Sequence, residues 1–227
     1  MPEFVIPAPS VATIPTSNGG NFPVRRVYCI GRNYAAHAVE MGHDPSREPP
    51  FFFQKNPDNL DPSGRFPFPK HSNDVHHEVE MLIALKSGGN EITVDDALDH
   101  VWGYAPSLDM TRRDLQSVAK KAGRPWEIGK AFERSAPVGV LQSASEVGHL
   151  SEGSIELHVN GELRQAGNLN QMIWKTPEMI AYLSRYFELA AGDVIMSGTP
   201  SGVGPVQPGE KLEARIKGLQ PLQVTVT

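Results

Sequence analysis

EVEMLIALK, residues 78–86, reads as a β-strand that is apolar on both faces. Side chains alternate along a strand, so Val79, Met81, Ile83 and Leu85 point one way while Glu78, Glu80, Leu82 and Ala84 point the other. A strand with two apolar faces must be covered on both sides, which places it inside a layered fold. The same alternation sets the carboxylates of Glu78 and Glu80 side by side. They either open an exposed strand or sit at a buried end, where repulsion and lost hydration call for a shared proton, a basic partner or a cation. A hard divalent ion with oxygen ligands suits the buried case best.

Working outward from this strand, RRVYCIG (25–31) and PPFFFQK (49–55) read as strands, with NYAAHAVEMG (33–42) between them as a short helix closed by Gly42. Downstream, TVDDALDH (93–100) reads as a short helix started by Thr93, and VWGYAPSLDM (101–110) as a strand. TRRDLQSVAKKAG (111–123) reads as a helix with Leu115, Val118 and Ala119 on its inner side and Gly123 as its stop. SIELHVNGELRQ (154–165) is a hairpin turning at Asn160-Gly161, which supply the two positive-φ positions of a type I′ turn. TPEMIAYLSRYF (176–187) is a helix with Thr176 as N-cap and Met179, Ile180, Leu183 and Phe187 on one face. DVIMSG, KLEARI and LQVTV complete the strands. Strands outnumber helices and their links are hairpin-like, so the chain is a β-rich α+β fold.

The 227 residues, 39% of them hydrophobic, suffice for one sizeable core, read as a single catalytic domain over 25–227 after an extended arm over 1–24. Scattered basic residues and a net charge of -5 argue against nucleic acid as a partner. With neither a leader-like start nor a membrane-length apolar run, a cytoplasmic protein away from membranes is expected. The single cysteine, Cys29, lies between Tyr28 and Ile30 and reads as an inert core thiol.

Asp109, at the end of a strand otherwise poor in charge, is either a third metal ligand or an N-cap for the helix that follows. Carboxylates without a nearby cysteine favour Mg²⁺ or Mn²⁺ over Zn²⁺. His37 and Glu40, three apart in a short helix, share one face, and by themselves are either a polar pair on a surface helix or a general base whose imidazole the carboxylate orients. SGTPSGVGP (197–205) lacks the Gly-Lys-Ser/Thr ending of a phosphate loop; its amides, including that of Gly198, and the Thr199 hydroxyl could hold a carboxylate. His76 and His77 read as structural or supporting residues.

GRNYAAHAVEM, HHEVEM, SLDMTRRD, WEIGKAF, VNGELRQ and SGTPSGVGP occur in the order seen in the fumarylacetoacetate hydrolase family, and the chain resembles that family over residues 31–205. The N-terminal half most resembles its short acylpyruvate and fumarylpyruvate hydrolases. The resemblance implies a mixed β-sandwich roll with a few short helices, one Mg²⁺ or Mn²⁺ per subunit and a homodimer. It makes Glu78, Glu80 and Asp109 the metal triad and His37 with Glu40 the water-activating pair. It also makes Lys130 a catalytic lysine facing the substrate oxygens, and Arg113, Gln116, Gly198 and Thr199 substrate contacts; Arg112 is expected to be exposed. The implied reaction is hydrolytic cleavage of a C–C bond in a small carboxylate, best fumarylpyruvate to fumarate and pyruvate in aromatic-compound catabolism. Oxaloacetate decarboxylation and hydratase or isomerase work on a dienol acid are the alternatives, and a binding protein without turnover is the remaining one. The second acid's pocket is expected from loops 43–51 and 56–75, with FFFQK along it.

Overall fold

The computed structural model describes residues 4–35 and 49–227. Its main strands are β1 (Arg26–Gly31), β2 (Phe51–Lys55), β3 (Val79–Leu85), β4 (Val101–Leu108), β5 (Ser154–Val159), β6 (Glu162–Asn168), β7 (Asp193–Met196), β8 (Lys211–Ile216) and β9 (Leu222–Val226). The helices are α1 (Arg113–Lys121), α2 (Glu127–Lys130), α3 (Ala144–Val147) and α4 (Thr176–Ser184).

Strand β3 lies within a six-stranded mixed sheet ordered Gln142–Ser143, β4, β3, β7, β1, β2, in which β7 and β1 run parallel and the other neighbours antiparallel. Every residue of β3 is buried, as two apolar faces require. Val79, Met81, Ile83 and Leu85 pack into the large core shared with a five-stranded sheet ordered β6, β5, β8, β9, Arg65–Phe66. Leu82 and Ala84 pack on the opposite face with Val27, Cys29, Ala105, Val194 and Met196. Each fully buried aliphatic side chain contributes roughly 1.5–3 kcal/mol of transfer free energy, so this double burial fixes the register of β3. Glu80 has the parity of Leu82 and therefore emerges on the face turned away from the five-stranded sheet.

Residues 13–23 of the arm form a small hairpin whose Ile14 and Phe22 are buried against that second cluster. Cys29 is fully buried, and its burial pushes the thiol well above the ordinary range. Asn160 and Gly161 both adopt positive φ at the expected hairpin turn. A short three-stranded sheet joins Val75–His77 to Thr111–Arg112 on one side and Gly204–Pro205 on the other, drawing three distant segments together beside Glu78.

Four readings are corrected. Residues 93–100 make a single 3-10 turn at Ala97–His100 rather than an α-helix, with Thr93 and Asp96 tied to each other by their side chains. The cap of α4 is Lys175, whose amide donates to Glu178 at 2.9 Å, while Thr176 is the first helical residue and its buried hydroxyl has no hydrogen-bond partner among the described residues. In α1 the inner face carries Arg113, Gln116 and Ala119, and Val118 is 62% exposed, because the helix covers a polar cleft rather than the apolar core. Arg112 is half-buried, its guanidinium 4.2 Å from the centroid of the Phe132 ring.

Candidate active site

The exits of β3 and β4 bring the acids together. Met81 pairs with Pro106 and Glu80 with Ser107 across the ladder, and the Asp109 amide donates to the Glu78 carbonyl at 2.8 Å. Helix α1 begins only at Arg113, so Asp109 is not its cap. Glu78, Glu80 and Asp109 are all buried, and each offers a carboxylate oxygen within 4.8 Å of the others.

Three cations face these acids. Lys130, 2% exposed at the end of α2, donates to Glu78 Oε2 at 2.9 Å, Asp109 Oδ2 at 2.6 Å and Thr111 Oγ1 at 2.7 Å. Burial works to lower its pKa, but the ion pairs with Asp109 and Glu78 outweigh that and raise it. Arg113 donates through Nη2 to Glu78 Oε1 and through Nη1 to Gln116 Oε1 at 2.6 Å. Lys55 Nζ, buried beneath the floor, lies 2.9 Å from Asp109 Oδ1 and donates to Ser135 Oγ at 2.9 Å and to the Lys130 carbonyl.

Glu80 differs from its neighbours. Its Oε2 accepts the Gly198 amide at 2.9 Å, and its carboxyl is held well above the usual range by burial first, then by the charges of Asp109 and Glu78. Asp109 Oδ1, though near Lys55, makes no hydrogen bond among the described residues. Among the described residues the three cations pair with Glu78 and Asp109 and none pairs with Glu80, so Glu80 is the acid whose ionised form is left for a bound ion to stabilise. The all-oxygen donor set fits a hard divalent cation such as Mg²⁺ or Mn²⁺.

The loop after β7 closes the floor. Gly198 has φ +86, and a Cβ there would lie 2.8 Å from Asn33 Cβ and 2.9 Å from the Ile30 carbonyl oxygen. Only glycine reaches this position without displacing backbone. Gly198→Ala should therefore pull its amide off Glu80 and weaken Mn²⁺ binding about 10-fold, the range seen when a group supporting a metal ligand is removed; unchanged affinity by calorimetry would refute this account. Gln165, wholly buried on β6, accepts from the Val79 amide and His77 Nδ1 and donates to Thr199 Oγ1 at 2.8 Å. His76 pairs with Asp74 and accepts from Arg113 Nε at 3.4 Å. Both histidines support the site rather than join the metal-type cluster, and burial lowers the pKa of each.

The triad lies in a partly open cleft that Arg113, Gln116, Lys130, Gly198 and Thr199 also line. Of the expected wall, Phe53 of FFFQK is present and Trp126 joins it, whereas loop 56–75 contributes none of the lining. His37 and Glu40 lie outside the described residues, as do residues 43–48 of the expected pocket loop. Lys55, Gln165 and Asn33 were not singled out by sequence. Alternation from Phe53 to Lys55, and the pairing of Gln165 opposite buried Leu157, were the available signals.

Residues 26–227 match the family described as fumarylacetoacetate (FAA) hydrolase C-terminal. The chain belongs to the fumarylacetoacetate hydrolase family. Among solved members of this family, fumarylpyruvate hydrolase from Pseudomonas aeruginosa, in complex with Mn²⁺ and pyruvate, superposes with a TM-score of 0.97 at 48% identity, covering 99% of each chain. Curated relatives include the mitochondrial oxaloacetate decarboxylase of Dictyostelium discoideum, 41% identical over 86% of this chain and 90% of its own length. Oxaloacetate tautomerase YcgM of Escherichia coli is 40% identical over 87% of this chain and 91% of its own length. The strand-rich α+β architecture is thus that of the fumarylacetoacetate hydrolase C-terminal domain. No helix among the described residues is long and apolar enough to cross a membrane.

Proposed function

We propose that this chain is a divalent-cation-dependent acylpyruvate hydrolase acting on fumarylpyruvate, which it cleaves to fumarate and pyruvate in the breakdown of aromatic compounds. The observation that carries this reading is near-complete overlap with a fumarylpyruvate hydrolase holding Mn²⁺ and pyruvate, at 48% identity. Pyruvate is one of the two acids this cleavage releases.

Glu78, Glu80 and Asp109 would hold Mg²⁺ or Mn²⁺, which when bound supplies Lewis acidity to the substrate's 1,3-dioxo oxygens. Arg113, Gln116 and Thr199, all lining the cleft, position the 2-oxo acid end. His37, oriented by Glu40, takes a proton from water as its oxygen adds to the C4 carbonyl. The C3–C4 bond then breaks, its electron pair passes to the pyruvate fragment, and that fragment collects a proton at C3. Lys130, between Glu78 and Asp109, supports the negative charge that develops. The protein works on a small carboxylate, as a homodimer.

The oxaloacetate decarboxylase and tautomerase among its relatives favour a second reading, in which the same pocket stabilises an enolate of oxaloacetate without hydrolytic water. Purified protein supplied with Mn²⁺ and offered fumarylpyruvate, acetylpyruvate and oxaloacetate separates the two by kcat/KM. Fumarylpyruvate should lead by at least about 10-fold, a difference of roughly 1.4 kcal/mol in transition-state binding; a lead for oxaloacetate would establish the second reading instead.

A further inference from the structure

Gln165 is wholly buried on β6, and both ends of its amide are taken. Its Oε1 lies 3.0 Å from the Val79 amide and 2.9 Å from His77 Nδ1, while its Nε2 lies 2.9 Å from the Pro200 carbonyl oxygen and 2.8 Å from Thr199 Oγ1. A backbone N–H only donates and a backbone carbonyl only accepts, so Val79 and Pro200 between them fix which end of the amide is oxygen and which is nitrogen. His77 must then present a proton on Nδ1, because the oxygen it meets has none to give. Thr199 Oγ1 must receive, because an amide nitrogen offers protons and no lone pair. The ladder slips beside this residue, with Leu157 facing Gln165 but His158 facing Leu163, a bulge of the kind that re-aims a side chain.

A hydroxyl has one proton. With the Thr199 oxygen accepting from Gln165, that proton points elsewhere, and it is given to no group among the described residues. Thr199 is 2% exposed and lines the cleft beside Gly198, whose own amide is committed to Glu80. The series His77, Gln165, Thr199 therefore carries its protons in one direction, and each donor in such a chain is strengthened by the one behind it.

We propose that Gln165 is a positioning residue: by donating to Thr199 Oγ1 it turns the Thr199 hydroxyl proton into the cleft, where it donates to an anionic oxygen of a 2-oxo acid. This rests on reading the cleft as a 2-oxo acid site and deepens it, because it names the residue that sets the polarity of one of the site's donors.

Pyruvate is the probe, bound to the full chain supplied with Mn²⁺ and followed by calorimetry. Thr199→Val and Gln165→Met should each weaken pyruvate about 10-fold, the range of one charge-assisted hydrogen bond. If Gln165 acts through the Thr199 hydroxyl, the double variant should bind within about 2-fold of the weaker single one, and Mn²⁺ affinity should move by less than about 3-fold in all three. Losses that multiply to about 100-fold in the double variant, or a fall in Mn²⁺ affinity matching that in pyruvate, would show Gln165 to be a prop for the loop and overturn the proposal, as would failure of pyruvate to bind the unmodified protein. Neutron diffraction from the unmodified protein with Mn²⁺ and pyruvate decides the matter if the Gln165 variant misfolds. A deuteron between Thr199 Oγ1 and a pyruvate oxygen upholds the proposal, and one between Thr199 Oγ1 and any protein acceptor overturns it. Coupled losses without turnover of any acylpyruvate would sustain the role of Gln165 and remove the hydrolase reading; turnover with multiplying losses would do the reverse.

Discussion

Glu80→Gln is expected to make the metal-free protein more stable while removing its activity. Glu80 is buried beside two other acids, and among the described residues its carboxyl accepts only the Gly198 amide, an interaction that a glutamine oxygen can keep. Its folded-state pKa is raised, so the proton it holds in the metal-free protein contributes stability that is complete at low pH. That stability is lost as pH rises through the raised value, when the carboxylate must ionise against its neighbours. Glutamine never ionises. Variant and parent should therefore melt alike at low pH and diverge as pH rises, the variant gaining of order 1 kcal/mol, or roughly 2–4 °C for a chain of this size. With Mn²⁺ the order reverses: the variant should lose most of the ion-induced rise in Tm, and kcat/KM should fall about 10³-fold. Melting curves across pH, with and without Mn²⁺, check both halves. A metal-free variant less stable than its parent at neutral pH would show that the triad is a satisfied polar network and no cation site.

Lys130→Met carries the opposite expectation. Lys130 holds Glu78, Asp109 and Thr111 from a position 2% exposed, and methionine fills similar volume without charge. Two buried carboxylates then lose their shared ammonium, a change that costs about 3–5 kcal/mol in comparable buried pairs. The metal-free variant should melt roughly 10 °C lower. Because a divalent ion supplies part of the missing charge, Mn²⁺ should raise the variant's Tm by more than it raises the parent's, although turnover stays down by about 10²-fold or more. An unchanged melting temperature without metal would mean that Lys130 is a bystander to the triad's charge.

The parts of this site legible in sequence were those governed by alternation along one strand. Glu78 and Glu80 announced themselves because EVEMLIALK has no solvated face, and the buried strand fulfils that reading. Asp109 needed the pairing of β3 with β4, which no local pattern specifies, and its alternative as a helix cap was removed only by the late start of α1. Helix α1 itself was turned the wrong way because Leu115 and Val118 were counted as inward. Arg113 and Gln116 occupy the inner face since what lies beneath them is charged. Lys55 escaped for a related reason: a lysine ending a phenylalanine run looks like a strand tip reaching solvent, and only the fold places Asp109 and Ser135 around it. Gln165 was hidden by its hairpin, where polar residues are ordinary, until Leu157 across the ladder showed which way it points.

Among the described residues the five-stranded sheet supplies none of the cleft's lining, and it reaches the floor through Gln165, by way of Val79, His77 and Thr199. Durability and reactivity are thereby assigned to different layers of one molecule. Side chains such as Leu157, Leu212 and Val224 can be exchanged for others of matching volume, and melting behaviour tuned, with the reacting groups left where they are. At Gln165 such freedom ends.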